Sequence, residues 1–267
     1  MTYKTTRRDF LKKTTIGGSM LFFPELLFGL GEDKEFNLID YHVHLTKTFT
    51  IEKAVELSKN INVKFGIVEH PGVAAGINTN EDLAAYIDKL RRYPVYAGIQ
   101  PVHRNWSQNF SDRLIKQLDF ILMDADTIPL GDGRYLEIWR HNNYIEDVDK
   151  FMVMYMKHIE DILKNEPITI FARPTYLPVN FSRYYDELWT EERMMQIITL
   201  AKEKNISLEI STPMHVPSLK FVYLAKANGC KFTMGTNARN NDAGKLHYAF
   251  HMIKECNLTP DDFLIIG

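Results

Sequence analysis

Short apolar runs bounded by turn residues recur along the chain at 37–45, 64–69, 95–102, 119–123, 168–172, 207–211 and 231–235. Runs of this length, rich in Val, Ile, Leu and Phe, read as buried strands. Between them, 51–60, 80–91, 111–117, 148–165, 191–204, 217–228 and 244–256 place apolar residues every three or four positions, the spacing of helices with one buried face. Thr79 followed by Asp82, and Thr259 followed by Pro260 and Asp262, supply capping oxygens at helix starts, and Gly229 stands where a helix should stop. Seven strand–helix units in regular alternation predict a parallel sheet covered on both faces. An open doubly wound sheet wants a glycine-rich loop after its first strand. Here that loop reads Leu45-Thr46-Lys47-Thr48-Phe49-Thr50. The pattern therefore predicts an α/β fold, a distorted (β/α)7 TIM-like barrel in a single domain.

The first 31 residues break the alternation. Thr6-Arg7-Arg8-Asp9-Phe10-Leu11-Lys12 precedes an apolar stretch from Thr14 to Leu30, the layout of a twin-arginine export signal. Pro24 and Glu25 interrupt that stretch, leaving it short for a membrane span. The expected division is a leader over 1–31 and a barrel over 32–267. Export to the periplasm or another extracytoplasmic space is expected, with no stable membrane span afterwards.

Charge narrows the partners. Residues 32–267 carry 27 Lys/Arg against 32 Asp/Glu, a formal charge of −5, and contain no long basic run. Nucleic acid is therefore not an expected partner; a small-molecule substrate is. Cys230 and Cys256 are the two cysteines, too few for a disulfide framework or a thiolate metal site.

In a parallel barrel, chemistry collects where strands end. His42 and His44 lie two apart on the first strand, so their imidazoles project to one face and could begin a divalent-metal site, with Asp40 orienting a ligand. The later strand ends bring Glu69 and His70, Gln100 and His103, Asp124 and Asp126, Arg173, Glu209 and Thr212, then Asn237 and Arg239. For Gln100 and Thr212 taken alone, a satisfied surface group is the simpler reading, and His103, Glu209 and Asp126 are evenly balanced. His141, His158, His215, His247 and His251 fall on helices or loops, and Met152, Met154 and Met156 read as core.

Asp40-Tyr41-His42-Val43-His44, a helix reading Thr50-Ile-Glu-Lys-Ala-Val-Glu-Leu-Ser58, and Phe65-Gly-Ile-Val-Glu-His70 resemble the opening of a PHP (polymerase and histidinol phosphatase) domain. The likeness continues more weakly through Phe171-Ala-Arg-Pro174 and Lys231-Phe-Thr-Met-Gly-Thr-Asn-Ala-Arg239. That resemblance implies a distorted (β/α)7 barrel that hydrolyses phosphate esters with up to three divalent metals. Carried over residue by residue, it keeps His42, His44 and His70 as ligands. It places Thr50 and Arg173 where histidines stand, Gln100 where a bridging glutamate stands, Asn237 where an aspartate stands, and Arg239 where the last histidine stands. A neutral amide bridges two cations poorly, and two arginines bring fixed positive charge. The expectation is fewer than three metals (Zn, Mn or Mg), held by His42, His44 and His70 with Asp124, Gln100 or Asn237.

Two segments suit specificity: 127–147, a long connection containing Trp139, and 174–189, containing Tyr176. The leading expectation is an exported metal-dependent hydrolase of a small anionic substrate, a phosphate ester or carbohydrate derivative. Asp124 and His70 would serve acid–base roles, Arg173 and Arg239 would neutralise charge, and both arginines with Tyr176 and Trp139 would bind substrate. The alternatives are a degenerate barrel binding a sugar or anion, and a metal-free lyase or isomerase using His70 and Asp124.

Overall fold

In the computed structural model, which describes residues 36–72, 76–141, 143 and 145–266, seven parallel strands close into a barrel. They are β1 (Ile39–Val43), β2 (Lys64–Ile67), β3 (Tyr96–Ile99), β4 (Phe120–Met123), β7 (Ile170–Phe171), β8 (Ser207–Ser211) and β9 (Phe232–Gly235), paired in that order, with β9 returning to β1. Helices α1 (Ile51–Ile61), α2 (Asn80–Leu90), α3 (Asp112–Ile115), α4 (Val148–Asn165), α5 (Tyr185–Leu188), α6 (Glu191–Glu203), α7 (Leu219–Ala227) and α8 (His247–Glu255) lie between or after the strands. The barrel spans one compact unit, Glu35–Gly267. The expected twin-arginine leader lies outside the described residues. Among the described residues, no helix is long and apolar enough to cross a membrane.

Six of the seven barrel strands are shorter at their ends than the apolar pattern suggests. The run 95–102 yields only Tyr96–Ile99, because Pro101 has no N–H to continue the ladder. That shortening frees Gln100 to turn its side chain into the barrel mouth. Thr79 and Asp82 form the reciprocal cap at the start of α2, and Thr259 with Asp262 repeats it near the C-terminus. In α4, Phe151, Met152, Tyr155, Ile159 and Ile162 form the buried stripe.

The barrel floor is filled by one ring. Phe120 reaches across the interior and meets Tyr41 edge-on at 5.2 Å. A Cβ at Gly98 would stand 2.3 Å from that ring, so the backbone of β3 must be bare there. Asp40 fastens the closing seam. It pairs in register with Met234 of β9, and its carboxylate accepts from Thr236 N and Oγ1, Gly244 N and His42 N. Asp40 therefore orients backbone rather than an imidazole, which corrects its expected role. Burial pushes its carboxyl above the ordinary range, and these donors pull against that.

The long connection 127–147 holds structure of its own. β5 (Thr127–Pro129) and β6 (Tyr135–Glu137) pair as an antiparallel hairpin beside the mouth. Ile138 N donates to Asp126 O, which ties the end of the hairpin back to the end of β4.

Candidate functional site

Five strands each send one side chain into the mouth, and the five close a ring of hydrogen bonds. Nδ1 of His42 (β1) lies 2.7 Å from Oε1 of Glu209 (β8). Nε2 of His42 lies 3.1 Å from Oε1 of Gln100, just past β3. Nε2 of Gln100 donates to Oδ2 of Asp124, just past β4, at 2.7 Å. The same oxygen accepts from Nη2 of Arg173, just past β7, at 2.6 Å. The circuit closes where the backbone N–H of Arg173 donates to Oε2 of Glu209 at 3.0 Å. His42 and Glu209 are 0 % exposed, so the ring lies beneath the surface of the mouth.

Donors and acceptors around the ring fix its polarity. Guanidinium can only donate, so Asp124 accepts from it. The Gln100 amide then gives its N–H to Asp124 and turns its oxygen to His42, an orientation set by the network. Nε2 of His42 must therefore carry hydrogen. Its Nδ1 faces the Glu209 carboxylate, so both nitrogens of His42 are used.

Arg173 holds φ +48°, in the left-handed region that side chains other than glycine rarely occupy. Its ties to Glu209 and Asp124, and an ion contact at 2.9 Å from Nη2 to Asp126 Oδ2, hold it there. Burial opposes the charge on Arg173, but Asp126 and Asp124 beside it keep it firmly cationic. The two carboxylates share one guanidinium unequally. Burial pushes Asp124 up, yet Arg173 and the Asp126 N–H bring it below the usual range. Asp126 is pushed well up by burial and by the neighbouring Asp124 and Glu209, because its contact to Arg173 is off the hydrogen-bond line and it gains no other donor.

Above the ring sit His44, His70 and Arg239. The His44 ring centroid is 5.4 Å from that of His42 and 5.0 Å from that of His70. Burial, with His42 and Arg239 nearby, holds His44 well below the ordinary histidine range. Its Nε2 is buried without a partner. His70 is half-buried, and its Nδ1 meets the carbonyl of Gln100 at 2.9 Å. A carbonyl only accepts, so Nδ1 bears a hydrogen, and in the neutral ring Nε2 is the nitrogen that holds the lone pair. Glu69 turns its carboxylate back to accept from His70 N. Arg239 donates to the carbonyl and Oδ1 of Asn237, itself at φ +49°.

The sequence-derived site residues thus divide. His42, Gln100, Asp124 and Arg173 meet in the ring; His44, His70, Asn237 and Arg239 meet above it. Arg173, expected to bind substrate, is paired here with the carboxylates of Asp124 and Asp126. Its guanidinium lies 5.7 Å from the Tyr176 ring centroid, so Tyr176 covers the ring. Trp139 stands on the hairpin side, with Arg140 4.6 Å from its ring centroid. Glu209 is the residue sequence reasoning undervalued. Its one signal is an acid in the middle of the apolar run Ser207-Leu208-Glu209-Ile210-Ser211.

A resident divalent cation does not fit these donors as they are placed. His42 has no free nitrogen, Asp124 and Glu209 are engaged, and Asn237 holds Arg239. His44 and His70 remain as two neutral donors beside a buried guanidinium. Among the described residues, no three His, Cys, Asp or Glu side chains are arranged to hold a metal ion. A cavity of about 860 Å³ lies on the outer wall between α4 and α6, and one of about 340 Å³ is lined by Leu45, Val68 and Glu69 just past the ends of β1 and β2.

No protein-family profile matches the sequence, and no curated protein matches it. Among solved structures, the chain is similar to one in the cryo-EM structure of archaeal Ribonuclease P with mature tRNA. Identity is 14 %, the TM-score is 0.39, and the match covers 84 % of this chain and 90 % of that one; at this distance it bears on neither activity nor partner.

Proposed function

We propose that the mouth is the active site of an exported enzyme acting on a small anionic substrate by acid–base chemistry, as a lyase or isomerase does. The observation that carries this reading is the hydrogen bond from His70 to the Gln100 carbonyl, which makes Nε2, at the half-open edge of the site, the nitrogen free to accept a proton in the neutral ring. Arg239, exposed and hydrogen-bonded to Asn237, offers charge to an anionic group of the substrate. His70 would take a proton next to that group, and Arg239 would steady the charge that develops. The ring beneath keeps the Gln100 carbonyl, and hence the tautomer of His70, in place.

Metal-dependent hydrolysis, the activity implied by the PHP resemblance, would require His42 to release Gln100. One experiment separates the two. Phosphate monoesters and uronates are screened with the protein purified without an affinity tag, before and after dialysis against EDTA. Turnover that survives EDTA and falls at least about a hundredfold in His70→Ala supports the proposal. Turnover that EDTA abolishes and Zn²⁺ or Mn²⁺ restores overturns it in favour of the hydrolase.

A further inference from the structure

Three aromatic or imidazole rings stand at the rim where β3 and β4 end. Tyr135, on β6, is 45 % exposed and stacks on His103 with centroids 4.2 Å apart and planes 20° from parallel. Trp139 follows two residues after the hairpin and is also 45 % exposed. Its neighbour Ile138 is buried and bonded to Asp126, so Trp139 is anchored one step from the ring of polar groups. Each exposed ring is stiffened by a partner, Tyr135 by His103 and Trp139 by Arg140. The same hairpin carries planar polar groups, Arg134 paired with Asp132 and Arg140 paired with Glu137.

We propose that this hairpin is a stacking platform for a carbohydrate, so that the substrate of the mouth is a sugar chain or its acidic end. This rests on the reading of the mouth as a site for an anionic substrate and names its class. A pyranose has an apolar C–H face that lies flat on an aromatic ring, and hydroxyls at its rim that want planar donors and acceptors. The hairpin supplies both. A lipid surface fits poorly, because Asp132 and Glu137 stand among the rings. A protein partner would need far more apolar area than two rings present.

The three tryptophans give a clean readout, since Trp106 and Trp189 are 3 % and 1 % exposed and Trp139 alone is open. Tetragalacturonate and neutral cellotetraose are titrated while tryptophan emission and heat are recorded. The expected result is that the acidic tetrasaccharide alters emission in the wild type but not in Trp139→Phe, which still binds by calorimetry. Trp139→Ala and Tyr135→Ala should each weaken binding about fivefold to tenfold with unchanged melting temperature. Arg239→Ala should weaken the acidic ligand and spare the neutral one. Affinity unmoved by both alanine variants but abolished by Arg239→Ala overturns the platform and leaves the mouth reading standing. Platform binding that persists in Arg239→Ala with equal affinity for both ligands supports the platform and removes the anionic mouth. No binding of either ligand up to about 10 mM, or a dimer that Tyr135→Ala dissolves, overturns the platform.

Discussion

Gly235 and Glu209 compete for one space: a Cβ on Gly235 would lie 2.0 Å from Oε1 of Glu209 and 3.0 Å from Cβ of His42. The bare backbone of β9 is therefore what lets the Glu209 carboxylate reach His42. Gly235→Ala should push Glu209 away and open the ring at its most buried link, costing about 1–3 kcal/mol, as overpacking does. Urea denaturation reads the cost. A stability equal to wild type would mean that Glu209 has room to move, and that the ring does not depend on this contact.

Arg173 is the ring's buried cation, and its partners are built around it. Removing one side of such a pair strands a charge and costs about 3–5 kcal/mol. Arg173→Met should reach that range, and Asp124→Asn should fall below it because Gln100 still has an oxygen to bond. The double variant should cost clearly less than the two losses together, since of the two carboxylates beside Arg173 only Asp126 is then left without it. Additivity to within about 0.5 kcal/mol would show that the two residues are not coupled.

Much of this architecture was legible in the order of apolar and polar residues. The helix at 148–165 and the strand at 207–211 match α4 and β8 residue for residue, because burial on one face sets the period of the helix and burial on both faces sets the short continuous run of the strand. The hairpin inside 127–147 was not legible, since three-residue strands leave too little alternation to see. The strand-end residues were visible one by one, but their partnerships were not. Whether Gln100 is a ligand or a bridge between His42 and Asp124 depends on distances across the barrel. Those distances join residues 42, 100, 124, 173 and 209, which no local spacing relates. The same holds for Arg173, whose charge reads as free in the sequence and is spent on Asp124 and Asp126 in the fold.

His158, on the inner face of α4, provides the chain's clearest acid sensitivity. Burial, with Arg104 nearby, pushes its imidazole down to about 4 from an ordinary 6.5. The unfolded chain thus takes up a proton before the native one does. Stability fully present above about pH 6.5 is lost as pH falls toward 4, by ~3 kcal/mol at about 1.4 kcal/mol per pH unit. His158→Gln removes this titration, so the variant should lose about that much less than wild type between about pH 7 and pH 4. Parallel losses in the two proteins, followed by urea denaturation across that range, would place the acid sensitivity elsewhere.

Gln100 decides whether the ring repels or invites a cation. Its amide gives hydrogen to Asp124 and takes hydrogen from His42, two roles that a carboxylate cannot fill together. Gln100→Glu would set a second anion 2.7 Å from Asp124 Oδ2, where a proton or a metal must relieve the repulsion. Without metal, the variant should lose about 1–3 kcal/mol, the cost of an unmet buried polar group. With Zn²⁺ or Mn²⁺ at about a hundred times its dissociation constant, binding should return ~2.7 kcal/mol and raise the melting temperature. The wild type should show no such rise. An equal rise in the wild type would mean that Gln100 yields His42 to the metal, and that the native ring is itself a metal centre.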